Sequence, residues 1–334
     1  MQVMLPKKIK KVVLLGTGGT IAGTSANVED NLGYTAAQLG VAQLLAAIPD
    51  LQSLPCEVVR EQVAQLDSKD MGFAVWKSLA NRVNHFLAQD DVQGVVITHG
   101  TDTLEETAFF LQLVLPALLL ADKPVVLTCA MRPATSAETD GPQNLRDAIA
   151  VATEPGACGV VAVCAGKIHG AVEVQKVHPH RLDAFDSGDT GPIGRVGRNG
   201  LQLERNWPSA PVKYKKSDIK NIANVTQWPR VEIVMNHVGS GALMVEALLN
   251  HSHSAPAHGV RGIVVAATGN GSLHRDLESA LLQAQKAGVR VVRSTRCAYG
   301  QVQSVPGNPI PDSQGLSPVK ARIAMMLELM ALSP

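Results

Sequence analysis

Short runs of apolar, mostly β-branched residues recur along this chain with helical patterning between them, and that alternation constrains its fold more than any other feature. The runs fall at residues 12–15, 92–97, 124–127, 159–163, 231–235, 262–266 and 289–292. They are apolar at nearly every position rather than every second one, as strands are when both faces of a sheet are covered. Such strands, separated by helices, make an α/β protein with a doubly wound, mainly parallel sheet. Residues 104–120 and 277–287 carry the pattern of amphipathic helices, and Thr103 with Glu106 has the spacing of a capping box.

At 334 residues the chain is long for one domain. Between 204 and 230 the pattern lapses into E-R-N-W-P-S-A-P-V-K-Y-K-K-S-D-I-K-N-I-A-N-V-T-Q-W-P-R, rich in proline and basic residues, which reads as a linker. The expectation is a larger N-terminal α/β domain at 1–203, that linker at 204–230, and a smaller C-terminal α/β domain at 231–334.

Thirty Lys and Arg against 29 Asp and Glu leave a net charge of +1, which offers no long-range attraction to nucleic acid or a membrane surface. With only 3% aromatic residues, stacking platforms for single strands are not expected either. Cysteines at 56, 129, 158, 164 and 297 form no C-x-x-C pair and are odd in number, which argues against metal knuckles and a disulfide scaffold. The start, M-Q-V-M-L-P-K-K-I-K-K, leads into too short an apolar stretch for a signal peptide, and the longest apolar stretch, 113–121, is interrupted by Pro116. A cytoplasmic enzyme is the expectation. H-S-H-S-A-P-A-H at 251–258 has metal-like histidine spacing but no carboxylate or cysteine, and reads as an exposed loop.

Hydroxyls and glycines collect just after the strands: G-T-G-G-T-I-A-G after Leu15, T-H-G-T-D-T after Ile97, T-C-A-M-R-P after Leu127 and A-T-G-N-G-S after Ala266. In a parallel sheet the carboxyl ends of the strands lie on one edge, where ligands bind, so these loops should converge. The glycines at 16–23 suit a tight strand-to-helix turn or a phosphate cradle, although Ile21 replaces the third glycine of G-x-G-x-x-G. Thr20 in such a turn is either a capping group or a hydroxyl that a substrate can approach, as a nucleophile requires. Thr101 and Asp102 read either as a helix cap with its neighbour or as a carbonyl-directed hydroxyl beside an anion for an ammonium group. His99 reads as structural, since no serine-hydrolase elbow accompanies it.

T-G-G-T-I-A-G at 17–23, D-S-K-D-M at 67–71, V-I-T-H-G-T-D-T-L-E-E-T-A at 96–108 and A-M-R-P at 130–133 resemble, in order and spacing, the bacterial-type L-asparaginases. The resemblance continues through D-G-P-Q-N-L at 140–145, G-N-G-S at 269–272 and V-V-R-S-T-R at 291–296, nearly the whole chain. It implies amide hydrolysis through a covalent β-aspartyl enzyme, with a threonine nucleophile and no metal or organic cofactor. By position Thr20 is that nucleophile and Tyr34 the tyrosine of a closing loop. Thr101, Asp102 and Lys176 match a second triad, in which the ammonium eases deprotonation of Thr101 or a bound water. Spacing alone does not say which threonine attacks first; the resemblance places Thr20 ahead.

For L-asparagine as the small-molecule substrate, Asp102 matches the partner of the α-ammonium and Ser68 the donor to the α-carboxylate, with Thr101 and Ala130 at the scissile amide. The Thr101 N–H is the first candidate for the developing oxyanion. Two positions depart from the family pattern. Lys69 stands where many relatives have glutamine, and either pairs with the substrate carboxylate or turns outward to Asp67 or Asp70. Ser272 stands where asparagine is common, and the loop 299–314 lacks the glutamate expected after R-S-x-R, which leaves the preference between asparagine and glutamine open. The resemblance further implies an intimate dimer, two of them forming a homotetramer, with each C-terminal domain completing a neighbour's site. Rival readings are a non-catalytic amino-acid sensor, the amidase subunit of a tRNA-dependent amidotransferase, and a dinucleotide oxidoreductase.

Overall fold

A computed structural model describes residues 10–48, 56–208 and 219–331. The basic start at 1–9, the stretch 209–218 of the expected linker and the last residues 332–334 lie outside the described residues. The chain divides into two units, Met1–Val212 and Lys213–Pro334.

The first unit is built on strands β1 (Lys11–Gly18), β2 (Glu57–Leu66), β3 (Val92–Thr98), β4 (Val125–Thr128) and β5 (Val160–Cys164), which run parallel to one another. Three antiparallel strands, β6 (Lys167–Gly170), β9 (Gly194–Gly197) and β10 (Gly200–Leu203), extend one edge. Between them in sequence, β7 (Gln175–Lys176) and β8 (Phe185–Asp186) form a separate short ladder. Helices α1 (Val41–Ala46), α2 (Phe73–Leu87), α3 (Leu104–Val114), α4 (Ala117–Asp122) and α5 (Gly141–Thr153) lie between the strands in sequence. Side chains alternate across each strand: Val12, Leu14, Val96, Val126 and Val161 share one core with Val41, Leu44, Leu145 and Ile149 of α1 and α5. Helices α2 and α3 pack against β3 and β5. Hence both faces are covered and the strand runs are apolar throughout.

The sheet order is β10-β9-β6-β5-β4-β3-β1-β2. The chain steps from β1 outward to β2, then returns to the opposite side of β1 for β3. The connections after β1 and β3 therefore part in opposite directions, and a crevice opens at the carboxyl ends of these two strands.

The second unit contains α6 (Ile219–Asn224), which falls inside the segment expected as linker, and a parallel sheet β11-β12-β13 of Arg230–Met235, Val260–Ala267 and Arg290–Thr295. Helices α7 (Leu243–Ser254) and α8 (Arg275–Lys286) share a core with its strands, through Val245, Leu277 and Leu281 beside Ile263, Val265 and Val291. Helix α9 (Pro318–Ala331) also packs on this sheet, where Gly262 leaves room for Met325. No helix among the described residues is long and apolar enough to cross a membrane.

The helix expected at 104–120 is two helices. Pro116 cannot continue the first, and Leu115 before it is extended, with ψ of 144°. Helix α3 is also buried from Thr107 to Val114 rather than amphipathic. The Thr103 hydroxyl does not close a capping box; it donates to the Ser68 carbonyl at 2.9 Å. The histidine tract at 251–258 is the last turn of α7 followed by a short 3-10 turn, not an open loop.

Candidate active site

After β1 the backbone turns through Gly18 and Gly19, at φ of 103° and 84°, conformations that side chains resist. The Gly19 N–H donates to the Leu66 carbonyl at 2.9 Å, and the Thr17 hydroxyl donates to the Thr98 carbonyl at 2.9 Å. Thr17 is thus a clamp between the ends of β1 and β3. A 3-10 turn at Thr20–Ala22 follows, in which Thr20 is 7% exposed and its hydroxyl lies 2.6 Å from the Tyr34 hydroxyl.

Tyr34 arrives on a loop closed at its base by paired backbone bonds between Thr24 and Thr35, each 2.9 Å. Within it the Asp30 carboxylate accepts from the N–H groups of Gly33 and Leu32, which holds its pKa below the usual value. The loop rests on the segment after β4: the Ser25 N–H donates to the Thr135 hydroxyl at 2.8 Å, and the Ser136 hydroxyl donates to Asn31 Oδ1 at 2.7 Å.

The loop after β3 is pressed against both neighbours. A Cβ on Gly100 would strike the Ser68 side chain, and one on Gly19 would overlap the Gly100 backbone. Ser68 is 2% exposed in a 3-10 turn, and its Oγ accepts from the Asp102 N–H at 3.2 Å. Lys176 on β7 donates from Nζ to Thr101 Oγ1 at 2.8 Å and to Asp102 Oδ1 at 2.7 Å. Its side chain is 16% exposed and that of Asp102 54%. Oδ2 of Asp102 has no partner among the described residues and is available to a cationic group.

Lys69 turns to Asp67, Nζ to Oδ2 2.7 Å, with its side chain 64% exposed. That hydrogen bond and the Asp67 charge raise the lysine pKa, with smaller contributions from Asp70 and Asp102. Ala130 is buried just past β4, where Asp140 Oδ2 and Oδ1 accept from the N–H groups of Met131 and Arg132 at 3.0 Å each. Asn144 braces the same loop, donating to the Cys129 carbonyl and to Asp140 at 2.9 Å each, while its Oδ1 accepts from the Ala165 N–H at 3.0 Å. Cys129 lies behind it with Sγ 3.2 Å from that of Cys164, and this hydrogen bond together with burial pushes its thiol pKa well up.

Ser272 belongs to the second unit. Its backbone pairs with Thr268, and Asn236 Oδ1 accepts from the His274 N–H at 2.9 Å, bracing the G-N-G-S turn. His99 is fully buried at the foot of the Thr101 loop, and burial lowers its pKa to about 4. Asp140, Asn144 and Asn236 went unnoticed in the sequence as bracing groups; the only signal was a polar residue inside D-G-P-Q-N-L or directly after β11.

The first unit therefore brings together two hydroxyl groups with different proton partners, a phenol for Thr20 and an ammonium for Thr101, beside a carboxylate with a free oxygen. This constellation can attack a carbonyl, shuttle protons, and hold an ammonium group.

Comparison with known proteins points the same way. Residues 11–209 match the family described as Asparaginase, N-terminal, and residues 230–332 match the Glutaminase/Asparaginase C-terminal domain. The chain is 36% identical to L-asparaginase 2 of Bacillus subtilis (strain 168) over 97% of its own length and 83% of that protein's. It is 34% identical to a glutaminase-asparaginase of Pseudomonas fluorescens biotype A, over 96% of its own length and 87% of the relative's. A crystal structure of a "probable cytoplasmic L-asparaginase" from Campylobacter jejuni superposes with a TM-score of 0.87 at 35% identity, covering 97% of this chain and 96% of that one.

Proposed function

From the premise that this chain belongs to the asparaginase family, we propose that it is an amidohydrolase that converts L-asparagine to L-aspartate and ammonia, with side activity on L-glutamine. The observation that carries the reading is the Lys176 ammonium held on both Thr101 Oγ1 and Asp102 Oδ1, in the unit where Thr20 meets Tyr34. Thr20 Oγ attacks the side-chain amide carbon while its proton passes by way of Tyr34 to the amide nitrogen. The carbon–nitrogen bond breaks, ammonia leaves, and a β-aspartyl ester remains on Thr20. Water, deprotonated with the help of Thr101 and Lys176, then attacks the ester and restores the threonine hydroxyl. Negative charge on the amide oxygen meets the Thr101 N–H. No metal or organic cofactor enters these steps.

Substrate charge is matched by Asp102 for the α-ammonium and by Ser68 for the α-carboxylate, with Lys69 close enough to Asp102 to respond to its charge and Ala130 beside the amide. The name of the Pseudomonas relative and the small Ser272 in place of asparagine support glutamine as the second substrate. In this reading the domains at 1–203 and 231–334 are joined by the linker at 204–230, and the C-terminal domain completes a neighbouring subunit's site in a homotetramer built as a dimer of dimers. Met235, Val238, Leu243 and Met244 stand exposed on the second unit, as residues awaiting such a partner would. The chain works in the cytoplasm, a placement in keeping with the name of the Campylobacter structure.

Ammonia release measured separately with asparagine and with glutamine tests the activity. A labelled acyl adduct trapped at low pH and mapped to the peptide bearing Thr20 tests the nucleophile; an adduct on Thr101, or full turnover by Thr20→Ala, overturns its assignment. Specific activity followed with molecular mass on dilution tests the assembly, since a fully active monomer contradicts it.

A further inference from the structure

His99 takes no part in the steps above, yet it is 0% exposed directly beneath the reacting loop, at the head of a chain of hydrogen bonds whose directions can all be assigned. Its Nδ1 lies 2.8 Å from the Gly100 carbonyl oxygen, which can only accept, so Nδ1 carries the proton. A neutral imidazole has one N–H, so Nε2 must accept, and the Thr107 hydroxyl 2.9 Å away donates to it. The Thr107 oxygen accepts in turn from Trp76 Nε1, a donor only, at 2.9 Å. Trp76 is itself held by stacking on Phe110, with ring centroids 4.6 Å apart. The Gly100 carbonyl, Thr107 on α3 and, behind it, Trp76 on α2 thereby hold one tautomer and one ring orientation of His99. Burial keeps the ring neutral across the working range, with its pKa near 4.

The consequence lies in the next peptide bond. The described chain has no cis peptides, and across a planar trans peptide the carbonyl and the N–H point in opposite directions. With the Gly100 oxygen tied down to His99, the Thr101 N–H is turned away from the buried imidazole, and it meets no acceptor among the described residues. A carbonyl that accepts a hydrogen bond also polarises its own amide, which makes that N–H a stronger donor.

We propose that His99 is a positioning residue for the hydrolysis, which holds the Gly100–Thr101 peptide so that the Thr101 N–H is aimed at and polarised toward the amide oxygen of the substrate. This rests on the functional reading given above. It acts on the transition state more than on substrate binding, because the Asp102 and Ser68 contacts do not pass through the imidazole.

The test compares His99→Leu, which removes both ring nitrogens, with His99→Asn, whose Nδ2 can reach the Gly100 carbonyl, and Thr107→Val, which releases the tautomer. Ammonia release gives kcat and KM for each purified folded protein, and thermal unfolding is followed in parallel. His99→Leu is expected to lower kcat by about tenfold or more with KM within about twofold of the parent. His99→Asn should recover most of that loss although its cavity is larger. A folded His99→Leu with parental kcat, or a His99→Asn no better than His99→Leu, overturns the proposal. If His99→Leu does not fold, Thr107→Val decides: a lowered kcat at parental KM supports the proposal and an unchanged kcat overturns it. A parent protein that releases no ammonia from either amide overturns the functional reading itself and takes this one with it.

Discussion

Gly19 and Gly100 touch backbone to backbone, so the loop that carries Thr20 and the loop that carries Thr101 are in contact at the residue before each threonine. A Cβ on Gly19 would overlap the Gly100 Cα and N, and φ at Gly19 is 84°. Gly19→Ala is therefore expected to cost roughly 2–4 kcal/mol, from the clash and the backbone strain together. Turnover by the folded fraction should fall further than stability does, because loops pushed apart by about 1 Å lose alignment worth about a hundredfold. Urea unfolding and ammonia release on one preparation check both parts.

Thr101 and Lys176 act as a unit if the 2.8 Å bond between them serves the chemistry. Thr101→Ala and Lys176→Met should each lower kcat by roughly 10²–10⁴, and the double variant should fall no more than about tenfold below the worse single one. Losses that multiply would mean the two groups work independently.

Lys69 is occupied by Asp67 and largely exposed, and solvent screens a surface pair of this kind so that it adds little to stability. Lys69→Gln should therefore leave KM for asparagine within about twofold and shift the unfolding midpoint little. A clear rise in KM, larger at low salt, would show instead that the ammonium leaves Asp67 for the substrate carboxylate.

Burial holds both His99 and His169 at about 4, below the ordinary 6.5. Between those values the unfolded chain takes up protons that the folded one refuses, so the stability these groups contribute is present above about 6.5 and is lost as pH falls through the folded value. The loss is of order 3 kcal/mol per histidine. Asp147, whose carboxyl is raised by burial, works in the opposite sense. Urea unfolding at a series of pH values from about 7 to about 4 should show the midpoint declining through this window; a flat profile would contradict it.

The strand-end motifs were legible because a parallel sheet sends the carboxyl ends of its strands to one edge whatever lies between them. Strand β2 was not: Glu57–Leu66 is an edge strand, half-buried along much of its length, and its apolar residues are interrupted by Arg60, Glu61 and Gln62. The break at Pro116 was written in the sequence, but the apolar pattern on either side of it runs on as one. Asp140 and Asn144 escaped notice because their partners are chiefly backbone groups, and backbone groups leave no residue-type signature.

Apolar runs of strand length with helices between them determined an α/β protein, and the glycines and threonines after two of those runs marked the loops that meet at the carboxyl ends of β1 and β3, because both follow from local spacing. Which groups would pair across those loops was decided by the tertiary structure alone. Lys176 stands 75 positions from Thr101 and meets it only because β7, outside the main sheet, delivers an ammonium to the loop after β3. A hydrogen bond depends on distance and angle in space, and sequence separation carries neither.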